Sequence, residues 1–370
     1  MKLTWRFSLW FSAFALFLIA LSRMRAPYLW AETQFLFTYD MGFQRRGLFG
    51  EILSWAYPVG MSQTDVHSVA LLMSMTVAFA TFFYFRDRFQ VAEPGGILLL
   101  LFATSIGTAT VIGNTGYLDQ LLVVLTLIAV SMQSTTVGIV LRLVMVAVGV
   151  LVHENMLPYF APLIGLELWL RRPEAPMVNR LMMALIMPVF ATVIAALVIV
   201  FGTYPLESSA ALHAYIDSRA LGFDFRPDTL DPLVDLPAGQ GVHAEAWATN
   251  DYIFRLTSYG GVGFVMIALT FLPMLAAMSH RPLVDRIAAT GAIVAPLSLM
   301  VVAFDVSRFM AIALLNVFLV AAMMLSRDEK FARNLSARLS PNLVVSILVL
   351  SGIFVLRDLN IDPRGLSGSA

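Results

Sequence analysis

The 370-residue sequence contains no cysteine and few charged residues, and both absences restrict what the protein can be. Without cysteine it can form no disulfide, no thiolate nucleophile and no cysteine-ligated zinc site. Charged residues make up 13% of the chain and hydrophobic residues 59%, whereas soluble globular domains are about 25% charged. The mean hydropathy is +0.80. The composition therefore predicts a polytopic membrane protein.

Several functional motifs are also missing from the sequence. It has no G-x-x-x-x-G-K-[ST] phosphate loop, no G-x-S-x-G elbow and no dinucleotide fingerprint. The net charge is zero and no run rich in Lys and Arg is present, so we expect no nucleic-acid partner. HENML, which begins at His153, has Leu157 where a zincin has its second histidine, and the other histidines lack ligand spacing. We therefore predict no histidine-rich metal site.

Eleven apolar segments approach the length of about 20 residues that a membrane-spanning helix needs. They lie near residues 7–22, 68–85, 95–113, 117–132, 137–152, 156–170, 181–201, 261–278, 287–304, 309–325 and 342–356. We predict an all-α fold with about eleven transmembrane helices, the count being good to one either way. The first segment follows basic residues without a cleavage site, so we interpret it as a retained signal-anchor.

Basic residues predict the orientation of these helices. They concentrate in alternate short connections such as RRPEAPMVNR and SRDEKFARNLSARL, whereas the three short connections on the other side contain only Arg308. The positive-inside rule then predicts a cytoplasmic N-terminus. We expect a bacterial inner-membrane protein with two long periplasmic loops, loop one (23–67) and loop four (202–260). We divide the chain into a module over 1–260 and C-terminal helices over 261–370.

The charged clusters of chemical interest all fall on the predicted periplasmic side. The candidate site residues are Asp40, Arg45, Arg46, Asp119, His153, Glu154, Asp305 and Arg308. Charges inside the segments are scarce by comparison: Arg142 is close enough to the inner face to snorkel, and Glu167 can pair with Arg171 at i+4. Because coupled transporters usually hold acids near the membrane midplane, this distribution favours an enzyme that works at the membrane surface.

Asp40 is the candidate catalytic base. It lies in the stretch FTYDMGFQRRGLFGEIL, where its neighbours are apolar or aromatic. One interpretation is an aspartate that caps the following helix. The alternative is a partly desolvated carboxylate, whose raised pKa makes it a better base. We favour the second interpretation.

The segment RGLFGEILSWAY after Asp40 predicts a helix lying in the headgroup plane, because its apolar residues share one face. These residues are Leu48, Phe49, Ile52 and Trp55. Arg45 and Arg46 precede this helix. They have two interpretations, as ligands of ordinary lipid headgroups or as ligands of a lipid-linked phosphate beside Asp40.

The other candidates also have a structural alternative. Asp119 in GYLDQ could be an acid favoured by a helix N-terminus, and Asp305 with Arg308 could be a local ion pair. The functional interpretation is transfer of a sugar from a polyprenyl phosphate. That reaction needs a carboxylate to deprotonate the acceptor hydroxyl and fixed cations to stabilise the departing phosphate.

The layout resembles that of the GT-C glycosyltransferases over roughly the first 260 residues. In that family a long first outer loop carries a catalytic acid and interfacial helices, and the seventh span precedes another long outer loop. TYDMGFQRRGLFGEIL and the segment 203–259 occupy these places, and GYLDQ occupies that of a further acid. The resemblance implies a polyprenyl-phosphate-linked sugar as donor, a glycan or lipid as acceptor, and Asp40 and Asp119 as the catalytic acids.

The sequence departs from this family in one respect that concerns metals. Many relatives carry paired acids in the first loop, whereas Asp40 stands alone and Glu32 lies eight residues earlier. A divalent cation usually requires several oxygen ligands, so we predict no cofactor, although such a cation remains compatible with the family.

Two other functions compete with the glycosyltransferase. An O-antigen-type polymerase or ligase would depend on Arg308, Arg46 and His153 more than on Asp40. A transporter or flippase for a lipid-linked sugar would use the same groove without chemistry, and would tolerate an isosteric change of Asp40.

Overall fold

The computed structural model describes residues 4–22, 27, 29–235, 260–301 and 305–359. Within them the chain is largely helical. The α-helices are α1 Trp5–Ser22, α2 Leu29–Thr33, α3 Gly47–Ser54, α4 Gln63–Phe89, α5 Gly95–Thr104, α6 Ile106–Gly113, α7 Asp119–Ser131, α8 Thr136–Val152, α9 Met156–Tyr159, α10 Ala161–Leu170, α11 Met177–Phe201, α12 Ser209–Arg219, α13 Gly261–Ala277, α14 Leu283–Val294, α15 Val306–Leu325, α16 Glu329–Arg338 and α17 Pro341–Leu359. The predictions for 236–259 of loop four and for the tail beyond 359 lie outside the described residues.

Short 3₁₀ helices and two strands complete the described secondary structure. The 3₁₀ helices are Gln34–Leu36, Leu206–Ser208, Pro227–Leu233, Met278–His280 and Ala295–Val301. Strands β1 (Met61–Ser62) and β2 (Ala220–Leu221) pair in parallel. The predicted all-α class is thus confirmed for the described part of the chain.

Five of the described helices are long and apolar enough to cross a membrane. They are Gln63–Phe89, Met177–Phe201, Gly261–His280, Leu283–Met300 and Val306–Leu325. The count rises to seven if each of two bent pairs is one span, α5 with α6 at 49° and α16 with α17 at 78°. The remaining apolar helices have 10–17 residues, so the predicted number of about eleven spans stays a prediction.

Helix α15 forms the centre of the bundle. Of its most apolar 18 residues, 94% are buried. In each of the other four long helices, fewer than half of the corresponding residues are buried. It packs against α6, α13 and α14, which come from both of the predicted sections of the chain. One continuous apolar core therefore joins residues on either side of position 260.

Local capping explains where several helices begin. Ser105 separates α5 from α6, because its extended backbone ends the first helix while its hydroxyl accepts a hydrogen bond from Thr108 N at 3.1 Å. Ser62 starts α4 with a capping box, in which its hydroxyl accepts from Asp65 N and Asp65 accepts from Ser62 N.

Loop one and loop four dock on each other beside α4. The pairing of β1 with β2 places Met61 opposite Ala220. Arg219 at the end of α12 is buried and donates to the carbonyl oxygens of Tyr57 and Pro58, at 3.3 and 3.4 Å. These contacts hold α12 over the segment that contains Asp40.

Candidate functional site

A turn in loop one, residues 38–46, presents three of the predicted site residues. The turn is closed by the buried side chain of Gln44, whose amide donates to the Thr38 carbonyl. Arg45 N donates to the Gly202 carbonyl at 3.1 Å, which fastens the turn to the start of loop four. Asp40 and Arg45 are therefore carried by a single turn that contacts both long loops.

Helix α3 follows this turn directly and packs tightly against loop one. A Cβ added at Gly50 would lie 2.0 Å from the Phe37 carbonyl oxygen, so no larger residue fits at that position. Arg46, the residue before the helix, has φ of 60° and is the only described non-glycine residue with a positive φ. A non-glycine residue keeps this left-handed backbone conformation only where its surroundings stabilise it, and such conformations are concentrated at functional sites.

The environment of Asp40 differs from the prediction. Its side chain is 58% exposed rather than desolvated, and its Oδ2 accepts hydrogen bonds from the Tyr215 hydroxyl and, at 3.2 Å, from the Thr38 hydroxyl. Arg219 lies 4.0 Å from the same oxygen. The Tyr215 bond, with Thr38 and Arg219, outweighs the slight burial and lowers the pKa of Asp40. The expected raised pKa was wrong, because the aromatic neighbours in sequence do not enclose the carboxylate.

The other seven predicted residues form what we call the loop-one ionic cluster: Arg45, Arg46, Asp119, His153, Glu154, Asp305 and Arg308. One half of it is centred on Glu154. Arg46 binds this carboxylate with two nitrogens, Nε at 3.1 and 3.2 Å and Nη2 at 2.5 Å. His153 Nδ1 lies 3.4 Å from Glu154 and accepts from Asn155 N at 3.2 Å.

The other half of the loop-one ionic cluster is centred on Arg308. Its Nε lies 3.2 Å from Asp119 Oδ2 and 3.4 Å from Asp305 Oδ2. The guanidinium also lies 5.0 Å from the centre of the Tyr117 ring, a cation–π distance. The predicted local pair of Asp305 and Arg308 is therefore present, and it extends to Asp119 at the start of α7.

Electrostatic interactions connect the two halves. Burial lowers the pKa of His153 well below its usual range, and the charges of Arg46, Arg308 and Arg45 lower it further. The histidine is therefore neutral. Burial alone would raise the pKa of Glu154, but the charge of Arg46 and the hydrogen bonds outweigh it and hold that pKa below its usual range. The Glu154 carboxylate and the neighbouring arginines are therefore charged, whereas the imidazole of His153 is neutral.

Arg45 is the arginine of the loop-one ionic cluster that makes no ion pair among the described residues. Its side chain is half-buried, and its Nε is shielded from solvent with no hydrogen-bond partner. Burial lowers the pKa of Arg45, partly offset by the charge of Glu154. An arginine remains protonated at any ordinary pH, so this guanidinium is a partly desolvated cation with unused donors.

The predicted interfacial helix forms, but its apolar face is split. Trp55 and Ile52 are exposed, at 78% and 45% of their surface, as contact with lipid requires. Leu48 and Phe49 instead pack against the protein core, and the Phe49 ring contacts that of Phe35 edge to face. The helix α3 therefore combines an outward-facing apolar edge with an anchored one.

Arg142 differs from the prediction, whereas Glu167 makes the predicted pair with Arg171 and binds two further arginines. Arg142 does not snorkel: it is fully buried, donates to the Met132 carbonyl at 2.6 Å and pairs with Glu167 at 3.1 Å. Glu167 also binds Arg171, as predicted, and Arg327 at 2.7 Å. We call these four residues the Glu167 cluster. It lies at the opposite end of α15 from Arg308, about 30 Å away for a 20-residue helix.

Three residues around Asp40 were not predicted from the sequence: Thr38, Tyr215 and Arg219. Thr38 is two residues from Asp40, but Tyr215 and Arg219 come from loop four and carry no local motif. Their only sequence signal was the unusual length of loop four.

In the described ranges no group of three or more His, Asp and Glu side chains is placed to hold a metal ion. The three carboxylates of the loop-one ionic cluster face arginines instead.

Comparison with protein-family models, curated proteins and solved structures finds no match to this chain.

Proposed function

We propose that the protein is a membrane glycosyltransferase, which moves a sugar from a polyprenyl-phosphate-linked donor to a glycan or lipid acceptor. Asp40 would act as the general base and Arg45 as the main ligand of the donor phosphate. The observation that supports this most strongly is the state of Arg45. A half-buried guanidinium that has no ion pair with any described residue, on the same turn as an ionised carboxylate, suits an anionic ligand.

In the proposed reaction the acceptor hydroxyl gives its proton to Asp40. The acceptor oxygen forms a bond to C1 of the donor sugar as the bond between C1 and the phosphate oxygen breaks. The departing phosphate keeps the bonding electron pair and gains negative charge, which Arg45 stabilises. Arg46 and Arg308 already face carboxylates, so they contribute mainly by holding the site together.

The surroundings of Asp40 are compatible with this role. The carboxylate is ionised at neutral pH, which a base must be, and it is accessible to an acceptor from the aqueous side. The Tyr215 and Thr38 hydroxyls both donate to Oδ2, so an acceptor hydroxyl would donate to the other carboxylate oxygen, Oδ1. Because Tyr215 belongs to loop four, that loop would border the acceptor-binding side of the site.

The proposal includes an orientation in the membrane. About eleven spans with a cytoplasmic N-terminus would place both long loops and the loop-one ionic cluster at the periplasmic face of a bacterial inner membrane. This orientation depends on the alternation of basic connections in the sequence. The apolar Trp55 and Ile52, exposed beside the site, fit a headgroup region at the same depth.

A second candidate, the O-antigen-type polymerase or ligase, is favoured by one observation. Arg46, His153 and Arg308, on which that chemistry would depend, share one cluster, whereas Asp40 bonds to residues outside it. The two candidates differ in what they predict for variants. A polymerase would lose activity with Arg308→Gln and keep it with Asp40→Asn.

Binding of the donor phosphate tests the role of Arg45. Purified wild-type, Arg45→Gln and Arg172→Gln proteins would be titrated with polyprenyl phosphate. Arg172 is an exposed arginine with a single hydrogen bond, to the Ser134 carbonyl, and its variant removes the same charge elsewhere. We expect Arg45→Gln to raise the Kd about 10- to 100-fold, because a hydrogen bond to a charged group is lost. Equal Kd values for the two variants would contradict the role of Arg45.

A further inference from the structure

A groove of about 540 Å³ lies between the last turns of α4 and α7, and the proposed reaction does not use it. Its wall is largely apolar and formed by Ala80, Phe83, Val124, Leu127 and Ile128. Tyr84, Asp87, Arg88 and Ser131 line its polar part. The volume falls within the range of about 300–1,000 Å³ typical of ligand sites.

The polar part of the groove adjoins the Glu167 cluster. Met132, which lines the groove, accepts a hydrogen bond from Arg142 of that cluster. Arg171 of the same cluster donates to the Val130 carbonyl, in the last turn of α7, at 3.3 Å. Arg88 itself lies 5.4 Å from the centre of the Tyr84 ring. The groove and the cluster are therefore one continuous feature.

This end of the groove has an excess of positive charge. Glu167 is the sole carboxylate of the Glu167 cluster and faces three arginines, while Arg88 makes no ion pair among the described residues. Asp87, which also lines the groove, is exposed and is already paired with Arg86 at 2.7 Å. The charge at this end is thus incompletely compensated by the protein.

Unused hydrogen-bond donors remain in the adjoining Glu167 cluster. One terminal nitrogen of Arg327 and the Nε of Arg142 are buried without a hydrogen-bond partner among the described residues. Buried donors without partners are costly, and guanidinium groups are best satisfied by phosphate or carboxylate oxygens. The apolar wall of the groove favours a ligand that also has a hydrocarbon part.

We propose that this groove binds an anionic glycerophospholipid, with its phosphate on Arg88 and one acyl chain against the wall formed by α4 and α7. Arg88 lies one residue before the end of the 27-residue α4, the depth at which a headgroup meets a spanning helix. Basic pockets between membrane helices attract anionic headgroups because the charges are complementary. The site lies at the other end of the bundle from Arg308, so it is independent of the glycosyltransferase proposal.

Native mass spectrometry of the full-length protein in detergent tests this site. The probes are phosphatidylglycerol and phosphatidylcholine with identical acyl chains, added separately to wild type, Arg88→Gln, Arg172→Gln and Ile128→Trp. Arg172→Gln is the matched control because it removes the same charge from an exposed arginine that does not line the groove. Ile128→Trp fills the apolar part of the groove, where the Ile128 side chain is 45% exposed.

The wild type should bind phosphatidylglycerol about 10-fold more tightly than phosphatidylcholine, and Arg88→Gln should abolish this preference. Arg172→Gln should keep it, and Ile128→Trp should weaken binding of both lipids. Millimolar inorganic phosphate should not displace the bound lipid. Equal affinity for the two lipids, an unchanged preference in Arg88→Gln, or displacement by inorganic phosphate would each overturn the proposal. Should Arg88→Gln fail to fold, unchanged lipid binding by Ile128→Trp would overturn it.

Discussion

Arg46 and Glu154, which are 108 positions apart in the sequence, form a bidentate ion pair. The Arg46 Nε lies 3.1 and 3.2 Å from the two carboxylate oxygens of Glu154. The pair joins the turn of loop one to the connection between α8 and α9. Because Arg45 is the next residue, this pair also fixes the backbone from which the proposed phosphate ligand extends. Its effect is therefore on the position of Arg45 as well as on stability.

Replacing Glu154 by Gln should destabilise the protein. The two side chains are only 12% and 19% exposed, so the variant leaves the charge of Arg46 poorly solvated. We expect a loss of about 2–3 kcal/mol, slightly below the cost of breaking a fully buried pair. Thermal unfolding in detergent measures it. Glu329→Gln is the control, because its pair with Arg333 is almost fully exposed and its removal should change little. Equal stability of both variants would show that the pair is not structural.

Tyr215→Phe should shift the acid limb of the transfer activity to higher pH. The hydrogen bond from Tyr215 is the largest cause of the lowered pKa of Asp40, so its loss raises that pKa towards the usual value. A base is active only when ionised, and activity would therefore be lost at a higher pH as the solution is acidified. Tyr204→Phe is the control, since Tyr204 donates to the Gly42 carbonyl and not to Asp40. Coincident pH profiles for Tyr215→Phe and wild type would exclude Asp40 as the titrating base.

The neutral His153 should make the protein less stable in mild acid. Its pKa is lowered in the folded state by burial and by nearby arginines, so the unfolded chain binds the proton more readily. The stabilisation is fully present above the unfolded pKa of about 6.5 and is lost as the pH falls below it. Melting temperatures at pH 7.5 and pH 5 measure the effect.

A histidine variant separates this effect from other acid-sensitive groups. His153→Gln should reduce the fall in melting temperature between the two pH values, while His213→Gln should not. His213 lies in α12, where its ring is tilted against that of Phe225 with the centroids 5.0 Å apart, and it is not part of the loop-one ionic cluster. If His153→Gln and wild type lost stability in parallel on acidification, His153 would not be the group responsible.

The grouping of the loop-one ionic cluster shows how far a sequence can predict this site. The topology predicted from the sequence puts Asp119, Glu154 and Arg308 on one side of the membrane, and in the structure the three residues lie in one cluster. Helix ends that follow alternate spans meet at the same membrane face, so this grouping depends only on counting apolar segments.

The surroundings of Asp40 could not be predicted in the same way. Tyr215, its main partner, is 175 residues away, and no local pattern indicates that two loops will pair. Arg142 illustrates the same difficulty, since its carboxylate partner is 25 residues further along on another helix. Local sequence fixes helix periodicity and caps, whereas contacts between loops depend on packing of the whole chain.

Glu167→Gln should destabilise the protein strongly. The variant leaves the fully buried Arg142 without its counter-charge, in addition to unpairing Arg171 and Arg327. Breaking a buried pair costs about 3–5 kcal/mol, so we expect poor yield or a large fall in melting temperature. Glu174→Gln, an exposed position without an ion pair in the described residues, serves as the control. A melting temperature equal to that of the control would contradict the structural role of Glu167.

Sugar transfer by Asp40→Asn tests the central claim most directly. Purified protein would be given a polyprenyl-phosphate sugar and an acceptor, and transfer and donor binding would be measured for Asp40→Asn and for Asp228→Asn. Asp228 is the control, a loop-four aspartate that pairs with Arg226 at 2.6 Å. The account predicts that Asp40→Asn loses transfer about 100-fold or more while still binding donor, and that Asp228→Asn keeps both. Full turnover by Asp40→Asn would contradict it.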